Sequence, residues 1–243
     1  MEAKDRIIFP LDYSDRADAF RAAMNVWNKA GINHFKLGLE AIHNGWGHTL
    51  AGDLATSGYT VGYDAKLNDI PNTVAGAAKG IARLGVKWFN IMGCAGPDAI
   101  SAAVEKRGES DIFVVTVLTS MDEEKCQDAL GGTVEKKVLQ YAKWAKECGA
   151  QGVICSPREL TIVRADPELA SLQIITPGVR PTWAPANDQK RVMGPGAAIR
   201  MGADFVVIGR PISQPPAEVG SPENAVKLLA EEIEGALAQK EGR

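Results

Sequence analysis

Eight short apolar runs, each followed by a longer segment of different character, constrain this chain more than any other feature of its sequence. They are Ile7–Asp12, His34–Leu37, Thr60–Asp64, Trp88–Ile91, Ile112–Leu118, Gly152–Cys155, Gln173–Thr176 and Phe205–Ile208. Their apolar content is nearly continuous rather than alternating, as expected of parallel strands covered on both faces. Between them lie helical patterns. Asp15–Ala30 opens on acidic residues and stops at Gly31, Pro71–Gly85 opens on a proline, and Pro157–Ala165 and Ala197–Met201 are shorter. Thr133–Cys148 carries Val134, Val138, Tyr141, Ala145 and Cys148 at helical spacing, and Ser221–Ala238 carries Val226, Leu229, Ile233 and Leu237. The polar tail Gln239–Arg243 is expected to fray.

A strand–helix unit repeated this often predicts a (β/α)8 TIM barrel, an α/β fold in which residues 1–243 form one domain. The competing architecture is a doubly wound open sheet. That fold usually places a glycine-rich phosphate loop after its first strand, whereas Leu11-Asp12-Tyr13 has no glycine. No internal repeat, low-complexity tract or long linker divides the chain, and the Gly/Pro-rich stretch Thr176–Pro185 reads as an active-site loop.

Composition narrows the function. A net charge of −3 offers no basic surplus for nucleic acid, so any anionic partner must be met by locally focused cations. No run approaches the roughly 18 apolar residues of a membrane span, and Ile7–Leu11 is too short for a signal segment, so a cytoplasmic protein is expected. Cys94, Cys126, Cys148 and Cys155 show no C-x-x-C spacing and read as buried free thiols. His34, His43 and His48 form no ligand pattern, which argues against a zinc site.

In a barrel, chemistry sits at the C-terminal ends of the strands. Strand one ends on Asp12 and strand two carries Lys36 in an apolar setting. A lysine there is costly unless paired, and Asp64 on the next strand is a natural partner; snorkelling to the rim is the alternative. The third strand is expected to end on Asp64. Alternation puts Asp64 and Lys66 on one face, with Asp69 past the strand end, so two carboxylates flank one ammonium. Such neighbours favour the charged form of Lys66 and suit it to give a proton. The plainer reading is a solvated, charged turn. Strand five ends in Leu118-Thr119-Ser120 and strand seven in Thr176-Pro177-Gly178-Val179-Arg180. Gly209-Arg210-Pro211 after strand eight looks like an anion cradle: glycine permits close backbone approach, proline suits a first helical turn, and arginine offers a bidentate fork. Arg180 and Gln189 are placed to join it, since barrel phosphate sites commonly use the loops after strands seven and eight. Trp183 is read as a packing anchor for its loop.

These residues, in this order, resemble the orotidine 5′-phosphate decarboxylases. The likeness runs through Leu11-Asp12, Phe35-Lys36-Leu-Gly-Leu-Glu40, Asp64-Ala-Lys-Leu-Asn-Asp-Ile-Pro-Asn-Thr73, Leu118-Thr119-Ser120, Thr176-Pro-Gly-Val-Arg180-Pro, Asn187-Asp-Gln189-Lys-Arg191 and Val207-Ile-Gly-Arg210-Pro. The Asp-x-Lys-x-x-Asp core is shared with sugar-phosphate enzymes of the same superfamily; the Ile-Pro-Asn-Thr extension favours the nucleotide enzyme. The resemblance implies a homodimer with shared active sites, a small-molecule nucleotide substrate, and no metal or organic cofactor. It implies Lys66 as proton donor, Asp64 facing the leaving carboxylate, and Asp69, Ile70 and Thr73 entering the partner's site. Asp12 and Lys36 would hold ribose hydroxyls, and Thr119 would contact the pyrimidine or a neighbouring loop group. Pro177 would line the substrate site, and Arg180, Gln189, Gly209 and Arg210 would bind the 5′-phosphate. One departure is Met92, where the family often has histidine. Two other readings stay open: a superfamily sister acting on a sugar phosphate with Mg²⁺ held by carboxylates such as Glu40 and Asp64, and a barrel that binds a nucleotide without turning it over.

Overall fold

A computed structural model describes residues 1–184 and 193–241. Eight parallel strands close into a barrel in sequence order: β1 Ile7–Pro10, β2 His34–Leu37, β3 Thr60–Leu67, β4 Trp88–Met92, β5 Asp111–Val115, β6 Gly152–Ile154, β7 Gln173–Thr176 and β8 Phe205–Val207. Closure is made by β8 pairing with β1, Ile7 opposite Val206 and Ile8 opposite Val207. All eight expected strands are present, so the open-sheet alternative falls.

The helices are α1 Arg16–Ala30, α2 Leu39–His43, α3 Gly47–Thr56, α4 Pro71–Ala82, α5 Pro97–Glu105, α6 Glu123–Leu130, α7 Val134–Glu147, α8 Leu160–Ala165, α9 Pro195–Arg200, α10 Arg210–Ser213 and α11 Pro222–Glu241. Their ends follow local chemistry. Asp15 caps α1 by accepting from the Ala17 and Asp18 backbone N–H groups, and Gly31 ends it with a left-handed φ of 72°. Thr133 caps α7 and Asp122 caps α6 in the same way. Each long helix turns a stripe of small or branched residues to the strands, as α1 does with Ala19, Ala23 and Val26. The main core lies between the strands and helices. A second cluster, Ile8, Trp88, Phe113 and Ile175, fills the barrel interior. Trp183 packs against the main core, as an anchor should.

Several boundaries differ from those expected of the sequence. β3 does not end at Asp64 but runs to Leu67, because the chain kinks and rejoins β4 further on: Tyr63 pairs with Phe89, and the next pair is Leu67 with Ile91. β1 stops at Pro10 and β5 at Val115, short of Asp12 and Leu118. In both, one further backbone bond follows, from Leu11 N to Lys36 O and from Thr116 N to Ile154 O, before the chain leaves the sheet. α8 begins at Leu160, not Pro157, and α4 ends at Ala82, not Gly85. The four cysteines are free thiols, but only Cys126 and Cys155 are buried, and Cys94 is exposed. No helix among the described residues is long and apolar enough to cross a membrane.

Candidate active site

The C-terminal ends of β1, β2 and β3 bring three predicted residues together. Pro10 pairs with Lys36, and Lys36 with Gly62, so Asp12, Lys36 and Asp64 leave neighbouring strands at one rim. The Lys36 ammonium donates to Asp64 Oδ2 at 3.0 Å and to Asp12 Oδ1 at 3.3 Å. On the other side of the same carboxylate, Lys66 Nζ donates to Asp64 Oδ1 at 2.6 Å. The result is an alternating row, Asp12–Lys36–Asp64–Lys66. Its inner members are shielded: side-chain exposure is 13% for Lys36, 11% for Asp64 and 29% for Lys66. Gly38 helps to make this possible, since a side chain there would press on the Lys36 ammonium and the Asp12 carboxylate.

Charge pairing governs the ionisation of these groups. Burial opposes the ionised form of Asp64, but Lys36, Lys66 and the Asn90 amide together outweigh it and hold the carboxyl well below the usual range. Burial likewise works against the Lys36 ammonium, and Asp64 and Asp12 outweigh it, so its value rises. The Lys36–Asp64 pair is therefore fully charged at neutral pH.

Lys66 has the sole positive φ among the described non-glycine residues, 48°. Its backbone N–H has left the sheet ladder and donates to Asn90 Oδ1 at 2.7 Å. Asn90 Nδ2 donates in turn to Asp64 Oδ1 at 2.7 Å. Asn90 is a site residue that the sequence motifs do not single out. Its signal is an amide in the middle of the apolar run Trp88–Met92, one strand away from Asp64.

Asp69 is placed differently from the expectation. It makes no ion pair with Lys66; it is exposed, and its Oδ1 accepts from the Ile70 N–H at 2.7 Å. The reason is geometric: β3 runs on to Leu67, so Asp69 falls in the turn that leads into Pro71. Ile70 stands 66% exposed, and Thr73 is exposed in the first turn of α4. Within one chain, Asp69, Ile70 and Thr73 thus project outward from the rim.

The strand-seven and strand-eight ends carry the residues expected to meet an anion. Pro177 is half-buried and Arg180 is buried at 5% exposure. The Arg180 N–H donates to Met193 O at 2.9 Å, and Val179 bridges Met193, so the two ends of this loop are stitched together. Gln189 lies outside the described residues. Gly209 precedes the short helix α10, which starts with an exposed Arg210 and has Pro211 in its first turn. A side chain on Gly209 would strike the Pro10 ring, so only glycine lets β8 turn into α10 this close to β1. Thr119 is exposed just past β5.

Glu40 and Glu159 are the remaining acidic groups of interest. Glu40, a candidate metal ligand, accepts from Ser14 Oγ at 2.7 Å, and among the described residues no group of three or more His, Cys, Asp or Glu side chains converges as a metal-binding set. Glu159, in the turn after β6, is buried with no partner for Oε2; burial pushes its carboxyl up to about 7 against the Ser156 hydrogen bonds.

Comparison with known proteins agrees with this geometry. Residues 5–224 match the sequence profile of the orotidine 5′-phosphate decarboxylase / HUMPS family. The orotidine 5′-phosphate decarboxylase of Heliobacterium modesticaldum is 37% identical over 251 residues, covering 99% of this chain and 100% of its own length. That of Moorella thermoacetica is 40% identical over 252 residues, with 96% of this chain and 94% of its own covered. Among solved structures, orotidine 5′-phosphate decarboxylase from Lactobacillus acidophilus superposes with a TM-score of 0.78 at 28% identity, over 94% of this chain and 99% of that one. The fold, the charged row at its rim and these likenesses together establish that the chain belongs to the orotidine 5′-phosphate decarboxylase / HUMPS family.

Proposed function

We propose that this protein decarboxylates orotidine 5′-monophosphate to UMP and CO2, the closing step of de novo UMP synthesis, with no metal or organic cofactor. The observation that carries the reading is the shielded Lys36–Asp64–Lys66 row at the barrel rim, in a chain of this family. The substrate's carboxylate leaves from C6 of the pyrimidine, and the C6–carboxylate bonding pair stays on C6 with little resonance relief. An ammonium fixed beside that carbon stabilises the developing charge and then gives it a proton. Lys66 is the donor. After transfer its amine takes a proton back from solvent, so charge and atoms balance.

Asp64 faces the departing carboxylate. It is held ionised by its neighbours, so its charge is not relieved by protonation when substrate arrives. The row is built before substrate binds, and preorganised charges in a water-poor site need little reorganisation during the reaction. Asp12 and Lys36 hold the ribose hydroxyls. Arg180, Gln189, Gly209 and Arg210 bind the 5′-phosphate, with Pro177 lining the pocket and Thr119 at the pyrimidine. Binding energy gained at the phosphate, remote from C6, then lowers the chemical barrier. The outward-facing Asp69, Ile70 and Thr73 support a dimer in which each protomer completes its partner's site.

The test is the fall in ultraviolet absorbance of orotidine 5′-monophosphate in EDTA-treated buffer. Turnover insensitive to EDTA is expected. An intact, folded protein that leaves the nucleotide untouched, and acts on a sugar phosphate only when Mg²⁺ is supplied, would overturn the reading.

A further inference from the structure

We propose that the Asn90 side-chain amide is the positioning element of this site, holding the left-handed backbone of Lys66 with one end and the Asp64 carboxylate with the other. The inference rests on the proposed function for its kinetic test and on geometry alone for its spectroscopic one.

Between the Tyr63–Phe89 and Leu67–Ile91 pairs, β3 advances by more residues than β4, so Asp64, Ala65 and Lys66 bulge out of the ladder. Lys66 takes up the distortion with φ 48°, a conformation that costs free energy in any residue with a Cβ and persists only where its surroundings impose it. A bulge also strips a backbone N–H of its sheet partner, and a buried N–H must find another. The Lys66 N–H finds Asn90 Oδ1 at 2.7 Å.

The other end of the same amide fixes the carboxylate. Asn90 Nδ2 donates to Asp64 Oδ1, the oxygen that also accepts from Lys66 Nζ. Backbone and side chain of Lys66 are thereby tied into one ring through Asp64 and Asn90. The orientation of the amide is decided by its partners: an N–H requires the oxygen and a carboxylate requires the nitrogen. Among side chains of this size, only the amide offers an acceptor and a donor on one planar group without having to bind a proton. Asn90 is 0% exposed and its β4 backbone is paired with Phe113, so it acts through Lys66 and Asp64 rather than by touching substrate.

This role predicts a signature that a packing role would not give. In Asn90→Asp the Lys66 N–H keeps an acceptor of the same shape, but Asp64 faces a second carboxylate in place of a donor. The groups around it are Asp64 and Lys66 on β3, with Lys36 and Asp12 behind Asp64, while β5 sets Phe113 opposite Asn90, with Val115 and Asp111 two residues to either side and Asp111 paired with Lys87. Protonating the introduced carboxyl restores the donor. Relative to wild type, kcat of Asn90→Asp should therefore rise about 10-fold or more as pH falls from 8 to about 5.5. In Asn90→Ala kcat should fall about 100-fold, with KM changed by no more than about 3-fold, as expected when a reacting group is misplaced rather than removed.

A second readout needs no turnover. In a ¹³C carboxyl titration the Asp64 resonance of wild type should stay flat down to about pH 3, and in Asn90→Ala it should begin to move at higher pH. Should Asn90→Ala not fold, Asn90→Asp, which preserves volume, carries the test. Near-normal kcat in Asn90→Ala, a loss confined to KM, a pH-independent ratio for Asn90→Asp, or an unmoved Asp64 titration would each overturn the proposal. A wild-type protein inactive on orotidine 5′-monophosphate, with the Asp64 titration still shifted by Asn90→Ala, would refute the function and leave the positioning role standing.

Discussion

Replacing Asp64 with asparagine removes one negative charge from between two ammoniums, and the structure sets the size of the effect. The carboxylate lies 3.0 Å from Lys36 Nζ and 2.6 Å from Lys66 Nζ, among groups less than a third exposed, so solvent screens both pairs only weakly. Breaking a buried pair by deleting one partner costs about 3–5 kcal/mol. Lys36 keeps Asp12 at 3.3 Å, and Lys66 can turn toward the rim, which places Asp64→Asn at the lower end, about 3 kcal/mol at pH 7. Linkage agrees in sign: a carboxyl held well below its ordinary range on folding adds stability at neutral pH. The sign follows from the depression. Stabilisation is fully present above the unfolded-state value of about 3.9 and is lost as pH falls toward the much lower folded value. The assay is urea unfolding of wild type and Asp64→Asn at matched protomer concentration, between about pH 3 and pH 8. The expected gap is constant from about pH 5 to pH 8 and shrinks below about pH 4. A variant as stable as wild type at pH 7, or a gap unchanged at pH 3, would refute the view that Asp64 ties the row together.

Glu159→Gln should behave in the opposite sense. Its carboxyl is raised to about 7 by burial, so the wild-type protein loses stability as pH climbs from the unfolded value of about 4.3 through the folded one. The variant should unfold at higher urea than wild type at pH 8, by about 1–3 kcal/mol, and match it near pH 4; a gap that does not change with pH would count against this. Arg210→Ala should lower kcat/KM about 100-fold for the nucleotide and little for the bare nucleoside, and equal losses would remove Arg210 from the phosphate site. Ile70→Asp puts a charge on a side chain 66% exposed in one chain, and should weaken the proposed dimer about 100-fold or more by sedimentation, with activity falling in step. An intact dimer would place the interface elsewhere.

What could be read from the sequence, and what could not, divides along physical lines. The strands were legible because a parallel barrel strand is apolar on both faces, and runs such as Trp88–Ile91 or Gln173–Thr176 stand out on their own. α1 and α7 announced themselves through Asp15, Gly31 and Thr133 and through a long apolar period. α6 did not: it reads Glu-Glu-Lys-Cys-Gln-Asp-Ala-Leu and buries only Cys126, so it has no stripe to detect. α2 and α3 are short and contain or adjoin Gly38, Gly45, Gly47 and Gly52, and glycine weakens a helical signal. The pairing of Lys36 with Asp64 followed from the cost of an unpaired lysine on an interior strand. The kink at Lys66 and the part played by Asn90 were not legible, because a bulge leaves no composition signal when the residue taking the positive φ is a lysine. From the sequence, β3 is expected to end at Asp64, with Asp69, past the strand end, as the second carboxylate flanking Lys66. The register slip carries the strand on to Leu67 and moves Asp69 outward.

The central claim is that Lys66 gives the proton to C6. The most direct measurement is turnover of orotidine 5′-monophosphate by Lys66→Ala, beside wild type and in EDTA, with UMP binding to both proteins followed by calorimetry. The variant should show no detectable turnover yet retain binding of UMP, since the Lys36–Asp64 pair and the phosphate side are left in place. A Lys66→Ala protein with near-normal kcat would contradict the claim.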